Sequence, residues 1–297
     1  MKTKPIIAIC LTLITALLMG CGKSYKEQNA ERHAAAAKAN ADEKAAFKIA
    51  VMPTIDCLPL YLMKDSSLYD STKVDIRLKN FTADMDIDTA LVGGSVQAAA
   101  TELVRTFELR RTHHIPIRAV AVTPLQWTLV GDKKNNITSL KALGNHNVAM
   151  TRYSATDWLT ARARKKAKTD DVIFSVQIND VTLRLQMLLN DEMDAAWLPE
   201  PQATAALAKG NVTLASSADE GRNFGLIVYR EDNGKDADKR EAQLQEVKTA
   251  YNHAVDLINS RGLKYYSALI KKYMGVDDKT IARLPKITFT HTDGPSR

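Results

Sequence analysis

Cysteine is nearly absent. The 297 residues hold three, Cys10, Cys21 and Cys57, and no two of them stand in a CxxC pair. The six histidines are scattered. A zinc site needs cysteine or histidine at short fixed spacings, so no metal centre is expected. The pair His113-His114 lies among charges ahead of an apolar run and reads as surface loop. Aromatic residues make up only 6% of the chain. A basic face interleaved with aromatics, the pattern of a nucleic-acid surface, is therefore missing despite a formal charge of +7. The basic residues are dispersed, and the densest run, Arg162 to Lys168, falls at the end of an expected helix, where cations suit the dipole. Catalytic signatures are missing too. There is no nucleophile elbow, phosphate-binding glycine loop, zinc-helix motif or dinucleotide fingerprint. No catalytic residue and no cofactor are expected.

Long apolar runs are also lacking, with one exception at the start. Met1-Lys2-Thr3-Lys4 carries two positive charges, and Pro5 to Leu18 is then almost wholly apolar. This is the charged and apolar pair of regions of a secretory signal. The run is shorter than the roughly 20 residues that a spanning helix needs. It ends at Leu18-Met19-Gly20-Cys21, which resembles the bacterial lipobox, where a small residue precedes a cysteine that is acylated. Residues 1–20 are expected to be a lipoprotein signal peptide and Cys21 the lipid-bearing first residue of the mature chain. Acyl chains anchor by about 0.8 kcal/mol per buried methylene. Cys10 then leaves with the signal, Cys57 has no partner, and no intrachain disulfide can form. Cys57 reads as a small buried hydrophobe. Loss of Lys2 and Lys4 takes the formal charge from +7 to +5.

Residues 21–45 are polar and alanine-rich, without an apolar stripe. Such a segment cannot bury enough surface to fold alone and reads as a lipid anchor and flexible tether. The body begins near Phe47. Phe47–Met52 is an apolar strand, Asp56–Tyr69 a helix, and Val74–Phe81 alternates in strand fashion. The order strand, helix, strand continues through Ile115–Thr123 and again from Trp127 to Ala215. Gly225–Arg230 is a further strand, followed by a long helix over Asp238–Ser260 and two shorter ones. Alternating strands and helices imply a largely parallel sheet covered on its faces. A body of this length exceeds what one core usually holds. Two lobes are expected, with crossings near Val122–Gln126 and Gly221–Phe224. Lobe one is then residues 46–123 plus 223–297, and lobe two is residues 124–222. Ligands of such sheets bind outside the carboxyl ends of the strands, which here places them in the cleft.

Three blocks carry a family resemblance. They are Leu188 to Pro201 (LLNDEMDAAWLPEP), Leu91 to Ala98 (LVGGSVQA), and Ser139 to Gly144 followed by Asn147 to Thr151. From about Lys48 onward the chain resembles the periplasmic substrate-binding proteins of the nitrate/sulfonate/taurine and thiamine-precursor group. The resemblance implies the two-lobed type II periplasmic-binding-protein fold, an α/β architecture of mixed sheets with helices on both faces and a ligand cleft between the lobes. It implies a binding protein and not an enzyme, with a small-molecule ligand and an ABC transporter permease as partners. A monomer is expected, held to the membrane through its lipid only, in the cell envelope facing the periplasm or the outer side of the cytoplasmic membrane. Two other readings of the fold are an enzyme of the thiamine-pyrimidine or menaquinone-pathway type and a ligand-sensing lipoprotein without a transporter.

Candidate ligand contacts follow from strand ends. Thr54 follows the first strand, and Asp56 beside it reads as a helix N-cap. Ser95 and Gln97 follow Gly93-Gly94. Gln126 and Trp127 sit at the first crossing. Arg152, Tyr153, Ser154 and Thr156 lie in a strand-to-helix loop whose N–H groups and dipole suit an anion. Trp197 and Glu200 end a lobe-two strand, and the indole could stack on a planar ligand. Trp158 is expected in the core. The ligand is left open between a small organic anion, such as a sulfonate or aromatic acid, and a thiamine-precursor-like heterocycle.

Overall fold

The structure, a computed structural model, describes residues 24–221 and 223–292. The expected signal peptide, Cys10 and the acylation site Cys21 lie outside these residues. The chain divides into two compact units, with the second beginning at Phe47.

In the first unit the expected tether is a helix, α1 (Tyr25–Ala45), with none of its residues buried. Its alanine content favours helix without tertiary help. Ser24 and Glu27 close a reciprocal capping box at its start, through Ser24 N–H to Glu27 Oε2 at 2.8 Å and Glu27 N–H to Ser24 Oγ at 3.3 Å.

Among the described residues, the second unit holds two five-stranded mixed sheets. The first contains β1 (Phe47–Val51), β2 (Ile76–Asn80), β3 (Ala98–Glu102) and β4 (Ile117–Thr123), with helices α2 (Leu58–Asp65), α3 (Asp84–Val92) and α4 (Leu103–His113) between them. The second contains β5 (Trp127–Gly131), β6 (Asn147–Met150), β7 (Phe174–Gln177), β8 (Ala195–Pro199) and β9 (Val212–Ser216), with α5 (Ala155–Ala167), α6 (Val181–Leu189) and α7 (Gln202–Ala208). The chain then returns to the first sheet as β10 (Gly225–Arg230) and ends in α8 (Ala237–Arg261), α9 (Ser267–Met274) and α10 (Asp278–Arg283). The strand orders are β2-β1-β3-β10-β4 and β7-β6-β8-β5-β9. The two sheets are built alike. In each, the strand that follows a crossing, β5 or β10, sits fourth and runs antiparallel to both neighbours.

Periodicity explains the packing. On α8 the buried residues Leu244, Val247, Tyr251, Val255 and Ile258 recur every three or four positions and form one stripe. Burial of each such side chain contributes about 1.5–3 kcal/mol. Tyr61 on α2 stacks on Tyr273 at 4.0 Å, and its hydroxyl donates to the Met52 carbonyl at 2.9 Å. Trp158 departs from expectation. It is 37% exposed and lies tilted against Phe224, with Arg162 over its ring.

The two crossings meet at Gly225. It pairs with Glu102 on one side and Thr123 on the other. A Cβ there would collide with Thr123 Oγ1 and with Leu125 Cβ. Gly225→Ala is therefore expected to destabilise by about 1–3 kcal/mol, the usual cost of overpacking. A melting temperature unchanged in calorimetry would show that this junction is looser than its geometry.

Candidate functional site

A cavity of about 10 Å³ lies where the carboxyl ends of β1 and β3 meet the start of β5, lined by Met52, Thr54, Asp56, Cys57, Asp84, Ala100, Thr101, Leu125 and Trp127. That is room for about one water molecule. β5 runs antiparallel to β8, so Trp127 stands level with Pro199 at the carboxyl end of that strand. The carboxyl ends of both sheets thus contribute to the wall.

The lining is polar and incompletely satisfied. Asp56 is 5% exposed, Thr101 3% and Trp127 2%. Asp56 Oδ2 accepts from Thr123 Oγ1 at 3.1 Å. Asp56 Oδ1, Thr101 Oγ1 and the indole Nε1 of Trp127 have no hydrogen-bond partner among the described residues. Buried polar atoms are nearly always paired, so three orphans on one cavity are unusual. Burial pushes the Asp56 carboxyl up, against hydrogen bonding that favours its charged form, and neighbouring Asp84 adds to the rise. Burial also raises Asp84, opposed by the charges of Arg184 and Arg105. Cys57 is buried as expected. Its Sγ faces Met52 N and Thr54 Oγ1 at 3.4 and 3.6 Å, and burial holds the thiol well above its usual range.

Beside the cavity the two halves are joined by hydrogen bonds from buried polar side chains. Glu102 ends β3, and its carboxylate accepts from Val104 N–H and Arg105 N–H at 3.0 Å each, capping α4. The same carboxylate accepts from Ala155 N–H at the start of α5, at 3.1 Å. Arg105 donates to the carbonyls of Arg152 and Tyr153 at 3.2 and 3.4 Å and forms an ion pair with Asp88. Arg184, buried on α6, donates to Ile178 O at 2.6 Å, to Trp197 O at 3.0 Å and to Thr151 Oγ1. Its guanidinium lies 5.7 Å from the Trp127 ring centre. Burial lowers its pKa to about 10. Main-chain bonds also link the halves, among them Ile55 N–H to Glu200 O at 2.8 Å and Val181 N–H to Thr82 O at 3.0 Å.

The structure brings Thr54 and Trp127 to the cavity and leaves the other candidates elsewhere. Ser95 and Gln97 are at the amino end of β3, level with Lys48, where Gln97 Oε1 accepts from Lys48 N–H at 2.8 Å. That edge is the far end of the sheet from the cavity, and the strand begins three residues later than its apolar run suggests. Gln126 is exposed and lines a separate hollow with Asn223, Lys286 and Thr288. Trp197 is buried among lobe-two residues and donates to Thr160 Oγ1 at 2.9 Å. Glu200 accepts from Thr204 N–H at 3.2 Å, capping α7.

The loop from Arg152 to Thr156 is closed upon itself. Thr151 N–H donates to Thr156 Oγ1 at 2.9 Å, Thr156 N–H to Ser154 Oγ at 3.1 Å, and Tyr153 N–H to Asp157 Oδ2 at 2.9 Å. Arg152 is exposed and Tyr153 is 66% exposed. The position expected for a ligand anion is held by Glu102. Asp56, read from sequence as an N-cap, makes no cap and instead lines the cavity, with Oδ2 held by Thr123 and Oδ1 unpaired. Asp84, Thr101, Glu102 and Arg184 were not legible as site residues. Glu102 could have been found as a carboxylate placed between an apolar strand and a helix. No group of three or more His, Cys, Asp or Glu side chains is placed to hold a metal among the described residues.

Glu102 carries a pH consequence. Burial, with Asp84 nearby, pushes its pKa from 4.5 up to about 8 against its three N–H donors. The folded chain then holds this proton more tightly than the unfolded chain. Its contribution to stability is complete below about pH 4.5 and is lost as pH rises to about 8. Melting temperature is expected to fall across that window, and Glu102→Gln is expected to flatten the fall. Parallel melting curves for the two proteins would show that Glu102 ionises normally.

No protein-family model matches the chain, and no curated protein matches its sequence. Solved structures do match its fold. The periplasmic aliphatic sulphonate binding protein SsuA from Escherichia coli superposes with a TM-score of 0.64 at 20% identity, over 82% of this chain and 85% of that one. The alkanesulfonate-binding protein SsuA from Xanthomonas axonopodis pv. citri, bound to MOPS, gives 0.67 at 18% identity, over 83% and 86%. The periplasmic nitrate-binding protein NrtA from Synechocystis PCC 6803 gives 0.65 at 13% identity, over 80% of this chain and 68% of that one. The chain therefore has the α/β fold of the periplasmic sulfonate- and nitrate-binding proteins, with two mixed sheets and helices on their faces.

Proposed function

We propose that this chain is a lipid-anchored solute-binding protein that captures a small polar organic molecule and delivers it to the permease of an ABC importer. The observation that supports this reading most directly is the enclosed cavity with its three unpaired buried polar atoms. Unpaired buried groups cost roughly 1–3 kcal/mol each, and a ligand that satisfies them gains that much. The cavity stands at the strand ends where sheets of this kind hold ligands. Proteins of similar fold are named for sulfonate and nitrate binding, and one as the ligand-binding component of an ABC-type import system. Thr54 and Trp127 are the proposed ligand contacts from the candidate set. Closure of the lobes on a ligand would present the permease with a distinct face.

Two experiments test the reading. A thermal-shift screen over sulfonates, aromatic acids, amines and amino-heterocycles should find a compound that raises the melting temperature. At a hundred times its Kd a ligand adds about 2.7 kcal/mol, or about 5–10 °C for a body of this size. Absence of any saturable shift across such a library would remove the solute-binding reading. Anchoring rests on the lipobox-like sequence before Cys21. Cys21→Ser is expected to abolish labelling by radioactive palmitate and move the protein from the membrane fraction to the released fraction. Labelling that persists in the variant would place the lipid elsewhere or remove it from the account.

A further inference from the structure

We infer that the ligand is a small organic amine or amidine, with N–H donors beside one acceptor, and not an anion. The inference rests on the solute-binding reading and specifies its chemistry. Three observations point the same way.

First, the unpaired atoms state what is missing. Asp56 Oδ1 can only accept while the carboxylate is ionised, and Thr101 Oγ1 accepts as readily as it donates. The Trp127 indole can only donate. A ligand that satisfies all three brings at least one donor for the carboxylate and one acceptor for the indole. Both residues line one small cavity, so a ligand that serves both carries donor and acceptor as close neighbours.

Second, the local charge is uncompensated. Among the described residues, the groups whose charge acts most on Asp56, or that feel its charge most, are Asp84, Cys57, Tyr61 and Tyr251, and none of these is a cation. Asp84 is countered by Arg184 and Arg105. Arg184 is engaged by two carbonyls and the Thr151 hydroxyl, and Arg105 by two carbonyls and Asp88, which leaves only its buried Nε without a partner among the described residues. No arginine or lysine is among the residues that line the cavity. An anion placed there would meet two carboxyl groups and no counter-charge of its own.

Third, the usual anion-binding device is already filled. The N-terminus of α5 points its Ala155 N–H at Glu102, so the chain supplies its own carboxylate at that position. In the conformation seen, the cavity holds about one water, so an organic ligand enters when the lobes part.

The test uses charge-paired probes of one shape, benzamidinium against benzoate, together with 2-aminopyridine, whose donor stands beside an acceptor. Binding to the full chain in mild detergent is measured by titration calorimetry. Benzamidinium is expected to bind at least about tenfold more tightly than benzoate, a difference of about 1.4 kcal/mol. Its affinity is expected to weaken as pH is lowered, because protons compete with the cation for the Asp56 carboxyl, whose burial already favours the protonated form. Asp56→Asn is expected to abolish the preference for the cation. It removes a buried acid whose ionisation burial opposes, so the ligand-free variant should melt no lower than the parent, which keeps loss of binding apart from loss of fold. Trp127→Phe removes only the indole donor and is expected to weaken 2-aminopyridine more than benzamidinium. Benzoate or a sulfonate binding as tightly as the amidine, with no effect of Asp56→Asn, would overturn the inference and leave solute binding in place. If neither these probes nor the broader library bind, both fall.

Discussion

One carboxylate holds the two halves of this molecule in register. Glu102 closes β3, caps α4 and reaches across to the first N–H of α5. A group so deeply buried is stable only where several donors converge on it. That requirement fixes the approach of two helix N-termini from different sheets. Arg105, one turn further on, then lies against the Arg152 and Tyr153 carbonyls and repeats the link from the opposite charge. The crossing chain must pass between these partners. Gly225 does so, with Glu102 on one flank and Thr123 on the other, and Thr123 in turn holds the inner oxygen of Asp56. The cavity is what remains when this junction is closed.

Much of the architecture was legible because the local signals agreed. Strand periodicity marked β1 and β10 to within a residue or two, and the helix over Val181–Leu189 is capped in the structure by Asp180. The helix in place of a flexible tether at Tyr25–Ala45 follows from alanine propensity and a capping box, neither of which needs a core. The site was far less legible. A residue such as Asp56 carries the same sequence signal whether it caps a helix or faces a void. Only its distance from Thr123, 67 positions along the chain, separates the two. Ser95 and Gln97 failed for a simpler reason. They precede β3, at the amino end of the strand, and the cavity lies at its carboxyl end. Trp197 and Trp158 show the same ambiguity in opposite directions, one buried where a cleft was expected and the other half-open where core was expected.

Likeness of fold does not carry likeness of ligand with it. The similar structures are named for sulfonates and nitrate. Identities of 20% or less leave every cleft residue free to differ. A fold of this kind supplies strand ends and helix N-termini facing a gap, and those are general-purpose hydrogen-bonding positions. What they bind depends on which of them the protein has already filled. In this chain the helix terminus suited to an anion is filled by Glu102, and the serine and threonine hydroxyls of the loop are spent on its own main chain. The positions left unfilled are an acid, a hydroxyl and an indole donor.

Those unfilled positions also bear on how closure could be controlled. On the proposed reading, an open molecule would leave Asp56, Thr101 and Trp127 in reach of water at no cost. When the lobes close without a guest, each loses water and gains no partner, at roughly 1–3 kcal/mol apiece. The main-chain links between the halves, Ile55 to Glu200 and Val181 to Thr82, pull the other way. A ligand shifts the population between two such forms only by what it gains in one over the other. A cavity lined only with apolar groups would close whether or not it was occupied. A cavity whose charges were fully paired would gain nothing from its guest. The unpaired atoms are thus the feature that would make closure conditional on the right solute, and on the proposed reading that condition is what a transporter has to sense.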